Sequence, residues 1–243
     1  MEKRVIVFAP HPDDETLGCG GTIAKKLNEE YDVSVVFMTD GRHSLAEIGI
    51  STDPTPFEMK VIRREEAIRA TKILGLQEKN LFFLDFEDKT LEKNEGLVQE
   101  RVVEILKDIS PAEVFFPQEN EYNIDHRVTN MMIKRAIEAL DLHPIEYQYI
   151  IAWSFPFYLL LHIMSESIFD QFTSRLLKRN LIRVDISKFL PLKEMAIEEY
   201  KSQITLLSSG QKRPALKHSF LKRFLKTEEK FFINRKYAKN INY

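Results

Sequence analysis

The chain has 243 residues, 44% hydrophobic and 30% charged, with a net charge of −2, enough for one α/β domain with a full core. A single cysteine, Cys19, excludes a disulfide framework and a thiolate metal cluster. No charged stretch followed by a long apolar run opens the chain, so a cytoplasmic protein is expected.

The charge is uneven. From Gln171 onward there are 17 Lys/Arg and 6 Asp/Glu, so the preceding part is acidic. Solvated helix faces account for such an excess, with a basic surface for anionic substrates or lipid headgroups as the sharper alternative. Nucleic acid is not expected, because the basic residues are not interleaved with aromatics in a binding pattern.

In chain order, apolar runs predict strands over Arg4–Phe8, Val33–Met38, Asn80–Leu84 and Val114–Pro117. Between them, apolar spacing near 3.6 residues predicts helices over Thr16–Asn28, Glu58–Leu74 and Leu97–Ile109. Further helices are expected over Asp125–Leu140 and about Leu192–Leu207, with strands over Tyr147–Trp153 and Arg183–Ile186. The alternation predicts a Rossmann-like α/β fold, a parallel sheet flanked by helices, as a single domain over 1–243. The apolar run Ile150–Met164 falls short of the ~20 residues of a spanning helix and contains Pro156. It is read as core strand plus subunit interface, which makes a homo-oligomer an expectation; peripheral membrane contact is the alternative. Residues 153–180 are the expected specificity or interface segment.

The polar residues collect where an open parallel sheet binds its ligands, beyond the carboxyl ends of the strands. His11, Asp13, Asp14 and Glu15 follow the first strand, Asp40 the second, Asp85 and Asp88 the third, and Glu119–His126 the fourth. Adjacent carboxylates repel unless a cation lies near them, and a divalent metal is the simplest such cation. His11 and Asp14, three residues apart, can reach one ion from a turn entering a helix. His126 is the best third ligand, with His43 as competitor, which matches the three-ligand open site of catalytic zinc. Asp13 is then the unligated acid that accepts a proton from water. Glu15 serves the helix start or the surroundings of the ligands. Gly18-Cys19-Gly20-Gly21 lacks the third glycine of a dinucleotide fingerprint, and Ile23 stands in its place; these glycines suit close packing of the first helix.

Ala9-Pro10-His11-Pro12-Asp13-Asp14-Glu15-Thr16-Leu17-Gly18 resembles the signature of the PIG-L/LmbE-like zinc-dependent de-N-acetylases. Thr39-Asp40-Gly41, Arg63-Arg64-Glu65-Glu66-Ala67 and Asp125-His126-Arg127 match further segments in the same order, and Val184–Ser187 with Ser202-Gln203 resemble the family's C-terminal part. The resemblance implies a metal on His11, Asp14 and His126, with Asp13 as general base. The metal it implies is zinc, although iron(II), manganese(II) and cobalt(II) suit the same donors. It implies removal of acetyl from an N-acetylglucosamine-type amino sugar or glycoconjugate, a small-molecule partner. Arg63 and Asp88 match sugar-binding positions, with Asp85 as a rival for the second. Many relatives carry His-Pro-Asp-His where this chain has Asn123-Ile124-Asp125-His126. Asn123 can donate to an oxyanion but cannot deliver a proton, which leaves protonated Asp13 as the economical source. Asp125 is expected to orient His126 or Asn123, or else to cap the following helix. The alternatives are an amidase on a larger acyl group or thiol conjugate, and a noncatalytic carbohydrate-binding relative.

Overall fold

The computed structural model describes residues 3–50, 52–153, 164–177, 179–208 and 210–234. Seven strands form one sheet: β1 (Arg4–Ala9), β2 (Asp32–Thr39), β3 (Leu81–Phe86), β4 (Glu113–Pro117), β5 (Ile145–Tyr149), β6 (Arg179–Asp185) and β7 (Glu228–Asn234). Their order is β3-β2-β1-β4-β5-β7-β6. The helices are α1 (Asp14–Asn28), α2 (Pro56–Ile73), α3 (Glu95–Ile109), α4 (Ile124–Ala139), α5 (Glu166–Leu176), α6 (Leu190–Glu199), α7 (Lys201–Ile204) and α8 (His218–Leu221).

The apolar strands lie between two helical layers, and the period of two decides which residue faces which layer. Val5, Val7 and Ala9 of β1 enter one core with α1 and α2, while Ile6 and Phe8 enter the other with α3 and α4. Val35 and Phe37 of β2 repeat the pattern on the first face, and Val36 and Met38 on the second. Helix α1 lies close to its neighbours: a Cβ on Gly21 would stand 2.4 Å from Ile186, in keeping with the packing role expected for these glycines. Helix α2 starts at a capping box, with Thr55 and Glu58 satisfying each other's backbone amides.

Strands β3, β2, β1, β4 and β5 pair in parallel, as the β-α alternation predicts. The far edge differs from the expected all-parallel sheet. β7 runs antiparallel to both β5 and β6, pairing with β6 from Arg179↔Asn234 to Asp185↔Glu228. Strand β7 was not foreseen, and β6 is longer than the expected Arg183–Ile186, because each borrows its ladder from the other across more than forty residues.

Two further departures have local causes. The strand expected over Tyr147–Trp153 ends at Tyr149, because the amides of Ile151 and Ala152 are taken by the Glu121 carboxylate. The helix expected over Leu192–Leu207 breaks at Tyr200, two residues before Ser202, whose amide and hydroxyl both donate to Glu66 of α2. Helix α5 occupies part of the expected specificity segment 153–180; residues 154–163 lie outside the described residues, as does most of the apolar run Ile150–Met164. Ile151 and Trp153 at its start are buried. Among the described residues no helix is long and apolar enough to cross a membrane.

Candidate metal centre and its pocket

Strands β1 and β4 are neighbours, yet their following helices, α1 and α4, lie on opposite faces of the sheet. The crevice this leaves at their carboxyl ends is the topological switch point of an open α/β sheet. His11 and Asp14 enter it from the β1–α1 turn and His126 from the first turn of α4.

Three donor atoms converge there. His11 Nδ1 stands 3.1 Å from Asp14 Oδ2, His126 Nε2 stands 3.1 Å from the same oxygen, and the two ring nitrogens are 3.2 Å apart. Donors about 2.0 Å from a tetrahedral centre stand about 3.3 Å apart, so the triangle is close to the size a zinc-like ion needs. The grouping combines two imidazoles and a carboxylate, and all three residues are largely buried. The donor set therefore fits a divalent metal.

The electrostatics are those of a closed charge cluster. Burial alone would raise the Asp14 carboxyl, but the two imidazoles hold it well below the usual carboxylate range. Burial would lower both histidines, yet hydrogen bonds to Asp125 and Asp14 lift His11 to about 9, and Asp14 and Glu121 lift His126 to about 10. The carboxylates thus favour the protonated rings while the triangle holds no metal, and a cation entering it competes with those protons.

Asp13 stays outside the triangle. Its backbone has φ 126°, a left-handed conformation costly for a residue with a Cβ. Its amide donates to Glu15 Oε2 at 3.1 Å, and Glu15 itself accepts from the Tyr200 hydroxyl. Glu15 thus supports the turn from behind, in line with its expected place around the ligands. Burial pushes the Asp13 carboxyl up to about 7, against the opposing pull of Arg63. That value suits a group that takes and returns a proton near neutrality.

Arg63 is almost wholly buried, and its Nη2 lies 3.0 Å from Asp13 Oδ2. The same guanidinium donates to the carbonyls of Pro12 and Gly41. Gly41, at φ +64°, is required here, because a Cβ would meet Arg63 Nη1 at 2.3 Å.

Asn123 and Asp125 divide their tasks differently from the sequence expectation. Asn123 is the N-cap of α4, its Oδ1 accepting from the Asp125 amide at 2.8 Å. Asp125 sits inside the helix and turns its Oδ2 to His11 Nε2 at 3.3 Å, where the Lys89 amide also donates at 2.6 Å. Asp125 therefore orients His11 rather than His126 or Asn123, because the β1–α1 turn and not its own helix faces its side chain.

These groups floor a pocket of about 370 Å³. Its walls hold Asn123, Arg63 and Asp88, with Gln203, Arg213 and Phe220 from the C-terminal part. Asp88 is buried and accepts from the His43 amide, whereas Asp85 faces solvent between Lys60 and Arg64 and takes no part in the pocket. His43 lines the wall, but its ring is held by Glu87 at 2.7 Å and lies outside the donor triangle. Gln203 belongs to the Ser202-Gln203 segment that carried part of the resemblance, although no site role was given to it; Glu121, Arg213 and Phe220 were not singled out from sequence. Glu121 offered one signal, a carboxylate five residues before His126; Arg213 and Phe220 offered none.

The model of the family described as PIG-L, GlcNAc-PI de-N-acetylase, matches residues 6–137, more than half of the chain. Over 147 residues the chain is 30% identical to a probable N-acetyl-alpha-D-glucosaminyl L-malate deacetylase 2 of Bacillus cereus, a match covering 58% of this chain and 63% of that protein. Over 128 residues it is 33% identical to a diacetylchitobiose deacetylase of Thermococcus kodakarensis, covering 51% and 45%. The matches thus span about half to two thirds of the length of these relatives. The structure is similar to that of an inhibitor-bound N,N'-diacetylchitobiose deacetylase from Pyrococcus horikoshii, with a TM-score of 0.67 at 22% identity, over 99% of this chain and 86% of that one. At that identity the likeness concerns the fold alone.

Proposed function

The chain belongs to the PIG-L (GlcNAc-PI de-N-acetylase) family, and on that premise we propose that it is a metal-dependent hydrolase that removes acetyl from an N-acetylglucosamine-type conjugate. One observation carries the reading: three converging donors, His11, Asp14 and His126, lie at the floor of a pocket, with a separate carboxylate, Asp13, beside them.

His11, Asp14 and His126 would hold a divalent metal, which would supply Lewis acidity and lower the pKa of water at neutral pH. Two imidazoles and a carboxylate suit zinc, and iron(II), manganese(II) or cobalt(II) suit them as well. Asp13 takes the proton of the attacking water, and its carboxyl near pH 7 matches that task. Arg63 holds Asp13 in place, so the base keeps one orientation through the cycle. The Asn123 oxygen is committed to capping α4, which leaves its amide nitrogen as the donor for the developing oxyanion. Asn123 has no titratable proton, so Asp13 returns its proton to the departing amine. Asp88, with Arg63, provides polar groups for the sugar.

The test is acetate release by the zinc-loaded protein from a panel that includes N-acetylglucosaminyl malate, diacetylchitobiose and neutral N-acetylglucosaminides. Release that stops with a chelator and returns with metal is expected. Metal-loaded, folded protein that frees no acetate from any of them overturns the reading.

A further inference from the structure

We propose that Glu121 is a positioning residue for His126, holding its ring for the metal while fixing the neighbouring wall of the pocket. This rests on the metal reading of the site, though not on its substrate.

The Glu121 side chain is wholly buried and lies between two structures. On one side it accepts from the amides of Ile151 and Ala152, which line the pocket, and its own residue forms a bridge with Trp153. On the other, its Oε2 lies 3.7 Å from His126 Nδ1. That nitrogen is buried and without a hydrogen-bond partner, while the opposite nitrogen, Nε2, points into the donor triangle.

A neutral imidazole that ligates through Nε2 must carry its proton on Nδ1, and that proton needs an acceptor when buried. Glu121 is the carboxylate facing it. A closure of about 0.5–0.8 Å brings the two within normal hydrogen-bond range. The arrangement matches the one around His11, where Asp125 accepts from the ring nitrogen that faces away from the triangle. Both histidines thus have a carboxylate behind them, supplied by different segments. Such carboxylates fix tautomer and ring orientation, and their loss typically costs 10–100-fold in metal affinity.

A glutamine at 121 keeps the shape but replaces one acceptor with an NH2 group. Pointed at His126, that group favours the tautomer protonated on Nε2, which cannot ligate. The readout is zinc affinity by competition with a chromophoric chelator, together with the visible spectrum of the cobalt(II) form. Glu121→Gln is expected to bind zinc 10–100-fold more weakly, with an altered cobalt spectrum. Glu229→Gln is the matched control, because Glu229 is also buried and also accepts from two consecutive amides, those of Gly21 and Thr22. It is expected to lose stability but to keep zinc affinity within threefold. Zinc affinity within threefold of wild type in folded Glu121→Gln overturns the proposal.

Should that variant not fold, imidazole 15N NMR of the zinc-loaded wild type decides. A His126 ring protonated on Nδ1 and bound through Nε2 supports the proposal; binding through Nδ1 overturns it. Wild-type protein that takes up no zinc removes the metal reading itself. Failure to release acetate from any sugar conjugate bears on the substrate alone.

Discussion

Among the clusters of buried charge that touch helix α1, two are built on opposite plans. Against its middle, Lys193 and Glu229 meet at 2.7 Å; Glu229 also accepts from the amides of Gly21 and Thr22, and Lys193 donates to the Leu17 carbonyl. No buried side-chain atom of this pair lacks a partner. At the N-terminal end, His11, Asp14 and His126 crowd three donor atoms around one point, and Asp125 Oδ1 and His126 Nδ1 are buried without hydrogen bonds. A closed cluster holds the fold together. A cluster whose donor atoms converge on one point is arranged for a ligand, since like groups held this close repel one another unless a cation lies between them.

The contrast breaks if disturbing the two clusters has the same consequence. Removing a ligand is the largest change: His126→Ala is expected to lose bound metal and acetate release together, read by metal analysis of the purified protein. Retention of stoichiometric metal would refute the triangle. Asp13→Asn comes next, with metal retained and turnover lowered about 10²–10⁴-fold, the usual scale of general base catalysis. Wild-type turnover in that variant would remove Asp13 from the mechanism.

The closed cluster is expected to respond in stability instead. Lys193→Met leaves Glu229 buried without its cation and is expected to cost about 3–5 kcal/mol in denaturant unfolding, with metal affinity unchanged. A loss of metal affinity equal to that of His126→Ala would erase the distinction.

Proton linkage sharpens the comparison further. In metal-free protein His11 and His126 titrate near 9 and 10, above the ~6.5 of an unfolded chain. Their contribution to stability is fully present below about pH 6.5 and lost as pH rises through 9–10. Chelator-treated protein should therefore become less stable from pH 7 to 10. Metal binding at pH 7 should release protons, and apparent affinity should weaken as pH falls. Calorimetry in buffers of different ionisation enthalpy measures the release; none at all would contradict the imidazolium assignment. The smallest effect belongs to charge left in water. Arg101 and Glu104 pair at 2.8 Å on the surface of α3, and Arg101→Ala should shift stability by about 0–1 kcal/mol with metal affinity unaltered.

What was legible in the sequence was whatever a single turn or a strand end contains. His11, Asp13 and Asp14 fall within four residues, so their grouping survives any error in the surrounding elements. His126 was reached by placing its segment at the carboxyl end of the fourth strand, and the switch point between β1 and β4 does bring it there. Arg63 and Asp88, taken from the family resemblance, both line the pocket. Nothing local marked the Arg63 ion pair with Asp13, fifty residues away, or the His11 ring in front of Asp125. One of the two readings of Asp125 placed it as the cap of its own helix, although Asn123 does the capping.

The sequence by itself determined the alternation of strands and helices, the edge of the sheet on which polar groups gather, and the grouping of His11, Asp13 and Asp14 in one turn at that edge. Those properties depend on hydrophobic period and on residues adjacent in the chain. Only the tertiary structure decided that β7 lies antiparallel between β5 and β6, that Tyr200 interrupts the C-terminal helix, and that Glu121 and Asp125 stand behind separate histidines. Each is settled by a buried polar group choosing a partner far along the chain. Burial makes such a choice energetically necessary, and nothing in the local pattern of residues encodes its direction.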